Sequence, residues 1–291
     1  MSRLAPDTPT VHHLPTIRIP GMNAPQDLAL SIFGAHVRKP GQKAWSGGLV
    51  TLMGDFGFSV EAARTALNRL VARGMIDRHR EGRQIYYFVS AEGQEYLAEG
   101  DRRFFTFGKT QQRADAWTIV WNSLPESSRQ ERSRLATRLR FYGFGPIQDA
   151  TWIAVGDREP EVLRTIQAWE IERYVAMFVG RLSRRIDPTS MIATAWNLPR
   201  VAEHYELFLR DFGNLADPAQ RAVLDDTGAF VARTQMVHRF RSFPTIDPEL
   251  PEALAPQVYQ LRARAVSLFD TVYDALEEAA ERRFTLVAGG L

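Results

Sequence analysis

The sequence has no cysteine, which excludes disulfide bridges, thiolate nucleophiles and cysteine-based metal sites. A chain without cysteine suits a reducing compartment, so we expect a cytoplasmic protein. No apolar run approaches the roughly 18 residues of a membrane span, so we expect no membrane contact. Residues 1–24 are rich in proline and threonine and lack the apolar core of a signal peptide, which predicts a flexible tail.

Catalytic motifs are also missing. The sequence contains no G-x-S-x-G, P-loop or H-E-x-x-H motif, and no nucleophile–base pair that a hydrolase would need is evident. The pair His12-His13 lies in the predicted tail and is a weak candidate for binding metal. We therefore expect no enzyme activity, no catalytic residue, no metal and no cofactor.

The 291 residues have an ordinary globular composition, with 45% hydrophobic and 24% charged residues, and leave room for two or three domains. The net charge is only +2, but it is unevenly placed. From Arg200 to the end, ten arginines stand against fourteen acidic residues. The excess of positive charge therefore lies in the front of the chain.

One helix in this basic region has clear ends. Ser59 is a suitable N-cap, and Gly74 is a suitable C′ glycine, so a helix is predicted over 59–73. Its apolar stripe consists of residues at helical spacing, namely Val60, Ala63, Leu67, Leu70 and Val71. The opposite face carries Thr65 and Arg69.

A hairpin is predicted directly after this helix, with arms 75–80 and 83–89 around the turn pair Glu81-Gly82. The helix and hairpin carry only two acidic residues between positions 64 and 83, against six arginines at 64, 69, 73, 78, 80 and 83. Arginine suits phosphate and guanine because its planar group forms paired hydrogen bonds. The alternative is an ordinary solvated surface.

Two further helices are predicted before this pair of elements, over 26–38 and 49–56. Three helices followed by a hairpin make a winged helix-turn-helix DNA-binding domain, which we place at 25–110 with a last helix over 91–105.

The rest of the chain falls into two units. Residues 115–185 have the order strand-helix-strand-strand-helix-strand, which predicts a ferredoxin-like middle domain. Residues 187–285 show helical periodicity throughout, which predicts a helical C-terminal domain. The predicted fold class is therefore α+β.

Several runs resemble the PaaX family of transcriptional repressors, and they follow the family's order through most of the chain. They are Ile32-Phe33-Gly34, Arg64-Thr65-Ala66-Leu67, Arg80-Glu81-Gly82-Arg83, Trp196-Asn197-Leu198, Val237-His238-Arg239-Phe240-Arg241 and Asp247-Pro248-Glu249-Leu250-Pro251. The resemblance implies a winged-helix domain, a middle domain similar to a CRISPR adaptation nuclease subunit and a helical C-terminal domain. It also implies a homodimer that represses an aromatic-acid catabolic operon and is released by an aryl-CoA thioester, typically phenylacetyl-CoA. On this resemblance, 187–285 would be the effector and dimerisation domain.

The chain departs from the family pattern at two positions. The usual Trp-Asp-Leu run is Trp196-Asn197-Leu198, and a usual tryptophan is replaced near Gln257-Val258-Tyr259. If either position shapes the effector pocket, the ligand would differ from phenylacetyl-CoA.

The predicted contacts with double-stranded DNA lie on the helix and the hairpin. They are Arg64, Thr65, Asn68, Arg69, Arg73, Arg80, Arg83 and Gln84. Asn68 suits adenine and Arg69 suits guanine, whereas the hairpin residues would follow the backbone or the minor groove. A two-fold dimer predicts an inverted-repeat operator.

A CoA thioester needs cations for its phosphates and an apolar slot for its acyl group. The basic candidates at the junction of the second and third units are Arg181, Arg184 and Arg185. The other candidates lie in the runs that resemble the family, namely Trp196, His238, Arg239 and Arg241. The alternatives are a solvated linker for Arg184-Arg185, a core tryptophan for Trp196 and a structural histidine for His238.

Two other functions stay open at this point. A GntR-type regulator has a similar sequence pattern in its recognition helix, but a protein of this class would have a different C-terminal domain. A metal-dependent nuclease shares the plan of the middle domain, but the end of its first strand reads Trp121-Asn122-Ser123 and offers no carboxylate there.

Overall fold

The computed structural model describes residues 25–38, 41–109, 116–183, 185 and 187–289. Helices and two small antiparallel sheets make up these residues, which confirms the predicted α+β class. The predicted tail, 1–24, and its His12-His13 pair lie outside the described residues.

The N-terminal part packs helices against a three-stranded sheet of order β1-β3-β2. In chain order its elements are α1 (Pro25–His36), β1 (Ala44–Trp45), α2 (Ser46–Gly54), α3 (Val60–Ala72), β2 (Ile76–Glu81), β3 (Gln84–Val89) and α4 (Ala91–Thr106). Side chains from the first two helices, including Ile32, Phe33 and Leu52, are fully buried in its core. This burial holds the outer face of α3 in a fixed position.

Local chemistry sets both ends of α3, as predicted. The Ser59 hydroxyl accepts a hydrogen bond from the N–H of Ala62 at 3.2 Å, which satisfies one orphan donor of the first turn. At the other end Gly74 has a φ of 69°, and the N–H of Met75 donates to the Leu70 carbonyl at 2.9 Å. This is a Schellman ending, for which glycine is the preferred residue.

The hairpin of β2 and β3 has its turn one residue later than predicted. The last paired residues are Glu81 and Gln84, so the turn residues are Gly82-Arg83 and not Glu81-Gly82. Gly82 takes a φ of 59° at the first turn position, where an L side chain would be strained. The short strand β1, which sequence periodicity could not reveal, pairs with β3.

The middle part forms a four-stranded antiparallel sheet of order β5-β6-β4-β7. Its elements are β4 (Trp117–Asn122), α5 (Arg129–Phe141), β5 (Gly145–Gln148), β6 (Thr151–Val155), α6 (Glu159–Ala168) and β7 (Val175–Gly180). Leu135 and Leu139 of α5 pack with Val120 in one buried cluster. Trp117 and Ile153 of the sheet belong instead to the core of the C-terminal helices.

The C-terminal part is helical, as predicted. Its helices are α7 (Thr189–Ala195), α8 (Leu198–Phe212), α9 (Pro218–Ala222), α10 (Asp226–Phe240), α11 (Phe243–Ile246), α12 (Pro256–Ala275) and α13 (Glu277–Ala288). The periodic stretches 218–241 and 256–283 each form two helices, and the break in the second stretch is at Leu276.

The C-terminal helices also complete the N-terminal core. Phe230 of α10 and Phe284 of α13 belong to the same buried cluster as α1 and α2. The ring of His36 stacks on that of Phe284 with centroids 4.9 Å apart. Backbones approach closely at Gly48, where an added Cβ would lie 2.1 Å from the Val287 carbonyl oxygen. The first and last parts of the chain therefore form one packed body.

Three apolar side chains at periodic positions of the sequence are exposed, and one of them, Val60, belongs to the apolar stripe predicted for α3. Val60 is 44% exposed in the first turn of α3, and Tyr96 of α4 is 53% exposed. Trp121 is also exposed, although Trp117, four residues earlier on the same sheet face, is buried. The C-terminal helices thus cover only one end of that face.

The second helix also differs from its predicted bounds of 49–56. The helix α2 begins three residues earlier, so that Gly47 and Gly48 lie inside it. Glycine usually marks a loop in sequence, but here Gly48 permits the close approach of α13.

Candidate nucleic-acid interface and cavity

The outer face of α3 is polar and exposed. The opposite face is buried through four side chains, Ala63, Ala66, Leu67 and Leu70. This burial fixes which face of α3 is presented to solvent. All of the predicted contact residues on this helix are exposed, namely Arg64, Thr65, Asn68, Arg69 and Arg73.

The hairpin presents the remaining predicted contacts, and Arg80, Arg83 and Gln84 are all exposed. The Arg80 Nε donates to the Gly82 carbonyl at 3.0 Å, which fixes this arginine against the turn. The Gln84 amide oxygen accepts from the Tyr86 hydroxyl at 2.5 Å. Both side chains are therefore oriented, whereas Arg83 at the turn is not held in this way.

Three arginines of this surface, Arg69, Arg73 and Arg83, form no ion pair within the described ranges. Arg64 is close enough to Glu61 to lower the pKa of that carboxyl, although the hydrogen bonds of Glu61 lower it more. The one acidic residue at the hairpin end, Glu81, is paired with Lys43 at 2.5 Å. Lys43 was not among the predicted residues. Because Lys43 neutralises Glu81, this carboxylate does little to offset the positive charge of the arginines.

A second feature is a cavity of about 730 Å³ where the three parts of the chain meet. Its walls come from α1, α4, α5 and α10, with the start of α11 and the residue after α6. Leu97, Phe104 and Phe141 give it an apolar lining, and Trp169 adds an aromatic wall. Its volume falls in the range of small-molecule sites, which runs from about 300 to 1,000 Å³.

The cavity also contains charged side chains in defined pairs. Arg138 of α5 pairs with Glu99 of α4. Arg241 lies 3.4 Å from Asp101, which also pairs with Arg38. Burial lowers the pKa of Arg241, although the Asp101 carboxylate opposes this effect.

Comparison with known proteins bears on both features. Three family models match along the chain: the PaaX-like protein model over residues 24–93, the PaaX protein central Cas2-like domain over 110–192 and the PaaX-like protein C-terminal domain over 196–286. The chain belongs to the PaaX family. The C-terminal match sets aside a GntR-type regulator, which would need a different domain there.

Two relatives of this PaaX-family chain can be named. It is 26% identical to the Transcriptional repressor PaaX of Escherichia coli over 266 residues, which cover 88% of this chain and 80% of the relative. It also resembles the solved structure of the uncharacterized protein Rv0674 from Mycobacterium tuberculosis. That likeness has a TM-score of 0.50 at 22% identity, and it covers 90% of this chain and 99% of the other. The second likeness concerns the fold alone.

The residues predicted for the effector do not all meet in one place. His238 and Arg241 line the cavity. The Nδ1 atom of His238 lies 3.0 Å from the Ser31 hydroxyl. Arg181 and Arg185 are exposed elsewhere, and Arg184 lies outside the described residues.

The other two predicted effector residues are also away from the cavity lining. Arg239 is bound to Asp211 at 2.7 Å. Trp196 is buried, and in the described part of the protein its indole nitrogen has no hydrogen-bond partner. The departure at Asn197 caps α8, where its side-chain oxygen accepts from the N–H of Arg200 at 3.1 Å. Asparagine caps as well as aspartate does, so this departure is explained without a ligand.

Most of the cavity lining was missed from sequence. Arg134 and Arg138 are one helical turn apart on α5, but a charged helix usually indicates only a solvated surface. Among the described residues there is no group of three or more side chains that could hold a metal ion. None of the described helices is both long and apolar enough to cross a membrane.

Proposed function

We propose that this PaaX-family protein is a DNA-binding transcriptional repressor of an aromatic-acid catabolic operon. The single observation that carries this proposal is the row of exposed arginines on α3 and at the β2–β3 turn, of which Arg69, Arg73 and Arg83 form no ion pair with any described residue. Combined with family membership, it favours repression through direct binding to an operator. The protein would act in the cytoplasm and would have no catalytic role.

We infer that residues 25–110 are a winged helix-turn-helix. In this arrangement α3 is the recognition helix in the major groove, and the β2–β3 hairpin is the wing. Asn68 and Arg69 would read base edges, and Thr65 could contact either a base or a phosphate. Arg64, in the N-terminal half of α3, would contact a phosphate or a base, and Arg73, directly after α3, would contact a phosphate.

The wing residues would contribute affinity without sequence preference. Arg80, Arg83 and Gln84 would lie along the backbone or in the minor groove. Neutralising phosphates releases counterions, so binding should weaken steeply as salt rises.

The middle and C-terminal parts would serve assembly and regulation. The strand order of the middle part, 115–185, supports a ferredoxin-like domain, and 187–285 would be the effector and dimerisation domain. We propose a homodimer on an inverted repeat, released by an aryl-CoA thioester such as phenylacetyl-CoA.

Selection of duplexes by the purified protein tests this function. From a random library we expect enrichment of an inverted repeat, and fluorescence anisotropy should show specific binding to it over a scrambled duplex. Addition of phenylacetyl-CoA should reverse binding, whereas CoA alone should not. Failure to enrich any sequence at low salt would contradict the proposal.

A further inference from the structure

The outer face of α3 has a central stripe of four residues, Glu61, Thr65, Asn68 and Ala72. Successive members are three or four positions apart in the sequence, so they share one side of the helix. All of them are exposed, and the buried side chains of α3 lie on the opposite side. Glu61 therefore occupies the N-terminal end of the surface that would face DNA.

Glu61 differs from the rest of this surface in its charge. It is the one acidic residue of α3, whose other charged residues are Arg64 and Arg69. A carboxylate that approaches DNA is repelled by the phosphates, so Glu61 weakens the sequence-independent part of binding. The protein gains from this side chain in a complex only where a hydrogen-bond donor of the DNA lies opposite it.

Local hydrogen bonds form the first turn of α3 in the absence of DNA. The Ser59 hydroxyl accepts from the N–H of Ala62 at 3.2 Å, and the Ser59 carbonyl accepts from the N–H of Ala63 at 2.9 Å. The pKa of the Glu61 carboxyl is lowered by a hydrogen bond from its own N–H, by one from the Ser59 hydroxyl and by the charge of Arg64. At neutral pH this side chain is therefore a carboxylate, which can only accept hydrogen bonds.

The place of Glu61 in the helix brings it close to base edges in the proposed complex. In helix-turn-helix proteins the N-terminal residues of the recognition helix contact the bases of the major groove. Glu61 is the second residue of α3 and is exposed. Thr65, one turn further along the same stripe, is already among the expected DNA contacts. The carboxylate would therefore meet a base and not only the phosphate backbone.

The four bases differ in what they present to a carboxylate in the major groove. Guanine presents two acceptors, N7 and O6, and thymine presents the acceptor O4 beside a methyl group. Adenine presents a donor at N6 next to an acceptor at N7, which repels the second carboxylate oxygen. Cytosine presents a donor at N4 and no acceptor. A carboxylate therefore favours cytosine over the other three bases.

We propose that Glu61 is a specificity-determining residue that selects one cytosine in each half-site of the operator. The carboxylate would accept a hydrogen bond from the N4 amino group of that cytosine. At any other base the same charge would meet an acceptor, so Glu61 would act largely by weakening the binding of wrong sequences. This inference rests on the proposed function, because it requires α3 to lie in the major groove.

A purely structural role for Glu61 predicts a different outcome. Acidic residues in the first turn of a helix interact favourably with the helix dipole, so their loss lowers stability slightly and leaves base preference unchanged. The chain contains a matched example of this arrangement in α4. There Ser90 is the N-cap and Glu92 is the second helical residue. Glu92 is exposed and does not belong to α3, so it is a suitable control.

Replacement by glutamine gives the sharpest test because it changes which base is preferred. The amide of Glu61→Gln keeps the length of the side chain but offers both a donor and an acceptor, which match N7 and N6 of adenine. Glu61→Ala removes the hydrogen-bonding group and the charge together. Glu92→Gln removes the same charge from the corresponding position of α4 and should leave base preference as it is in wild type.

Parallel selections from one random duplex library test the inference with the full chain. Wild type and the three variants pass through the same rounds, and the enriched sequences are compared position by position. We expect wild type and Glu92→Gln to enrich a cytosine in each half-site that Glu61→Gln replaces with adenine. Glu61→Ala should retain the rest of the inverted repeat and should show no preference at that position.

Fluorescence anisotropy on duplexes that differ only at this position gives the size of the effect. We expect wild type to bind the cytosine duplex at least about fivefold more tightly than the thymine duplex, and Glu61→Ala to bind both about equally. Glu61→Ala should also bind a scrambled duplex several-fold more tightly than wild type does, because a charge that repels phosphates is gone. Should Glu61→Ala fail to fold, the change of preferred base in Glu61→Gln decides.

The outcomes separate this inference from the proposed function. If wild type enriches an inverted repeat and the Glu61 variants prefer the same base at every position, Glu61 reads no base and only the inference is overturned. A wild-type preference for a base other than cytosine at the position that Glu61→Ala releases would overturn it as well. A wild-type protein that enriches no sequence would overturn the proposed function, and the inference with it.

Discussion

Arg69 and Arg83 are exposed arginines of the same proposed surface, but their positions give them different roles. Arg69 lies on the outer face of α3, where it would reach base edges, and Arg83 lies at the turn of the hairpin. We expect Arg69→Ala to cost about 1–3 kcal/mol on the specific duplex and to relax one base position. Arg83→Ala should weaken specific and scrambled duplexes alike and reduce the salt dependence.

Anisotropy titrations of both variants at two salt concentrations measure this difference. Unchanged binding by Arg69→Ala would remove that residue from the interface. A loss confined to the specific duplex in Arg83→Ala would mean that the hairpin reads sequence.

His36 is a residue whose burial should make stability depend on pH. Burial lowers its pKa below the usual 6.5, and this outweighs the contact of its Nδ1 with Glu281 at 2.8 Å. Among the described atoms its Nε2 has no hydrogen-bond partner, so a proton there would be buried without an acceptor. The unfolded chain therefore binds this proton more readily than the folded chain does as pH falls below 6.5.

Stability contributed by neutral His36 should be full above pH 6.5 and should decline as pH falls from there towards the lower folded pKa. Thermal unfolding of wild type and His36→Gln between pH 8 and 5 measures this. We expect the glutamine variant to be less stable at high pH but to lose less of its Tm on acidification. Parallel pH profiles would contradict a role for His36.

At the scale of elements, two glycines of α2 make a matched pair. An added Cβ at Gly48 would lie 2.1 Å from the Val287 carbonyl oxygen of α13, whereas one at Gly54 would meet nothing within 4 Å. We expect Gly48→Ala to destabilise the fold by about 1–3 kcal/mol, because two backbones must separate. Gly54→Ala should be neutral or stabilising by up to about 1 kcal/mol.

Urea unfolding of these two variants measures the docking of the last helix on the N-terminal part. Equal free energies of unfolding for Gly48→Ala and Gly54→Ala would show that this close approach contributes nothing to stability.

The elements also show what the sequence could predict. The ends of α3 follow from neighbours within a few residues, Ser59 and Gly74, and its exposed face follows from helical spacing. The docking of α13 on α2 joins residues more than 200 positions apart, and Gly48 resembles a loop residue until its partner is known. Local patterns carry no information about such contacts.

The cavity could not be predicted from the sequence either, because it is formed by residues that are far apart in the chain. Its walls come from α1, α4, α5 and α10, and each wall residue fits an ordinary helix pattern taken alone. His238 and Arg241 belong to a run that resembles the family, and their spacing alone does not distinguish them from other helix residues. Arg134 and Arg138 became informative only when the structure placed them beside Trp169 and Glu99.

At the scale of the whole molecule, the described part of one chain presents one proposed recognition helix, α3, so two-fold DNA recognition would require two chains. We expect two chains per duplex at saturation, with half-sites separated by about 10–10.5 base pairs or a multiple of this. Native mass spectrometry of the protein on the selected duplex measures the stoichiometry. One chain per duplex at saturation would contradict the dimer.

The central claim is that the outer face of α3 contacts DNA, and the absence of cysteine allows it to be tested at a single position. Ala72 lies exposed on that face, and Val223 is 79% exposed in the C-terminal part. Each is replaced by cysteine in turn, an iron chelate is attached, and cleavage of the selected duplex is mapped. The account predicts that Ala72→Cys cuts at two positions symmetric about the operator centre and that Val223→Cys cuts nowhere. Absence of cleavage from position 72 in a labelled protein that still binds the duplex would contradict it.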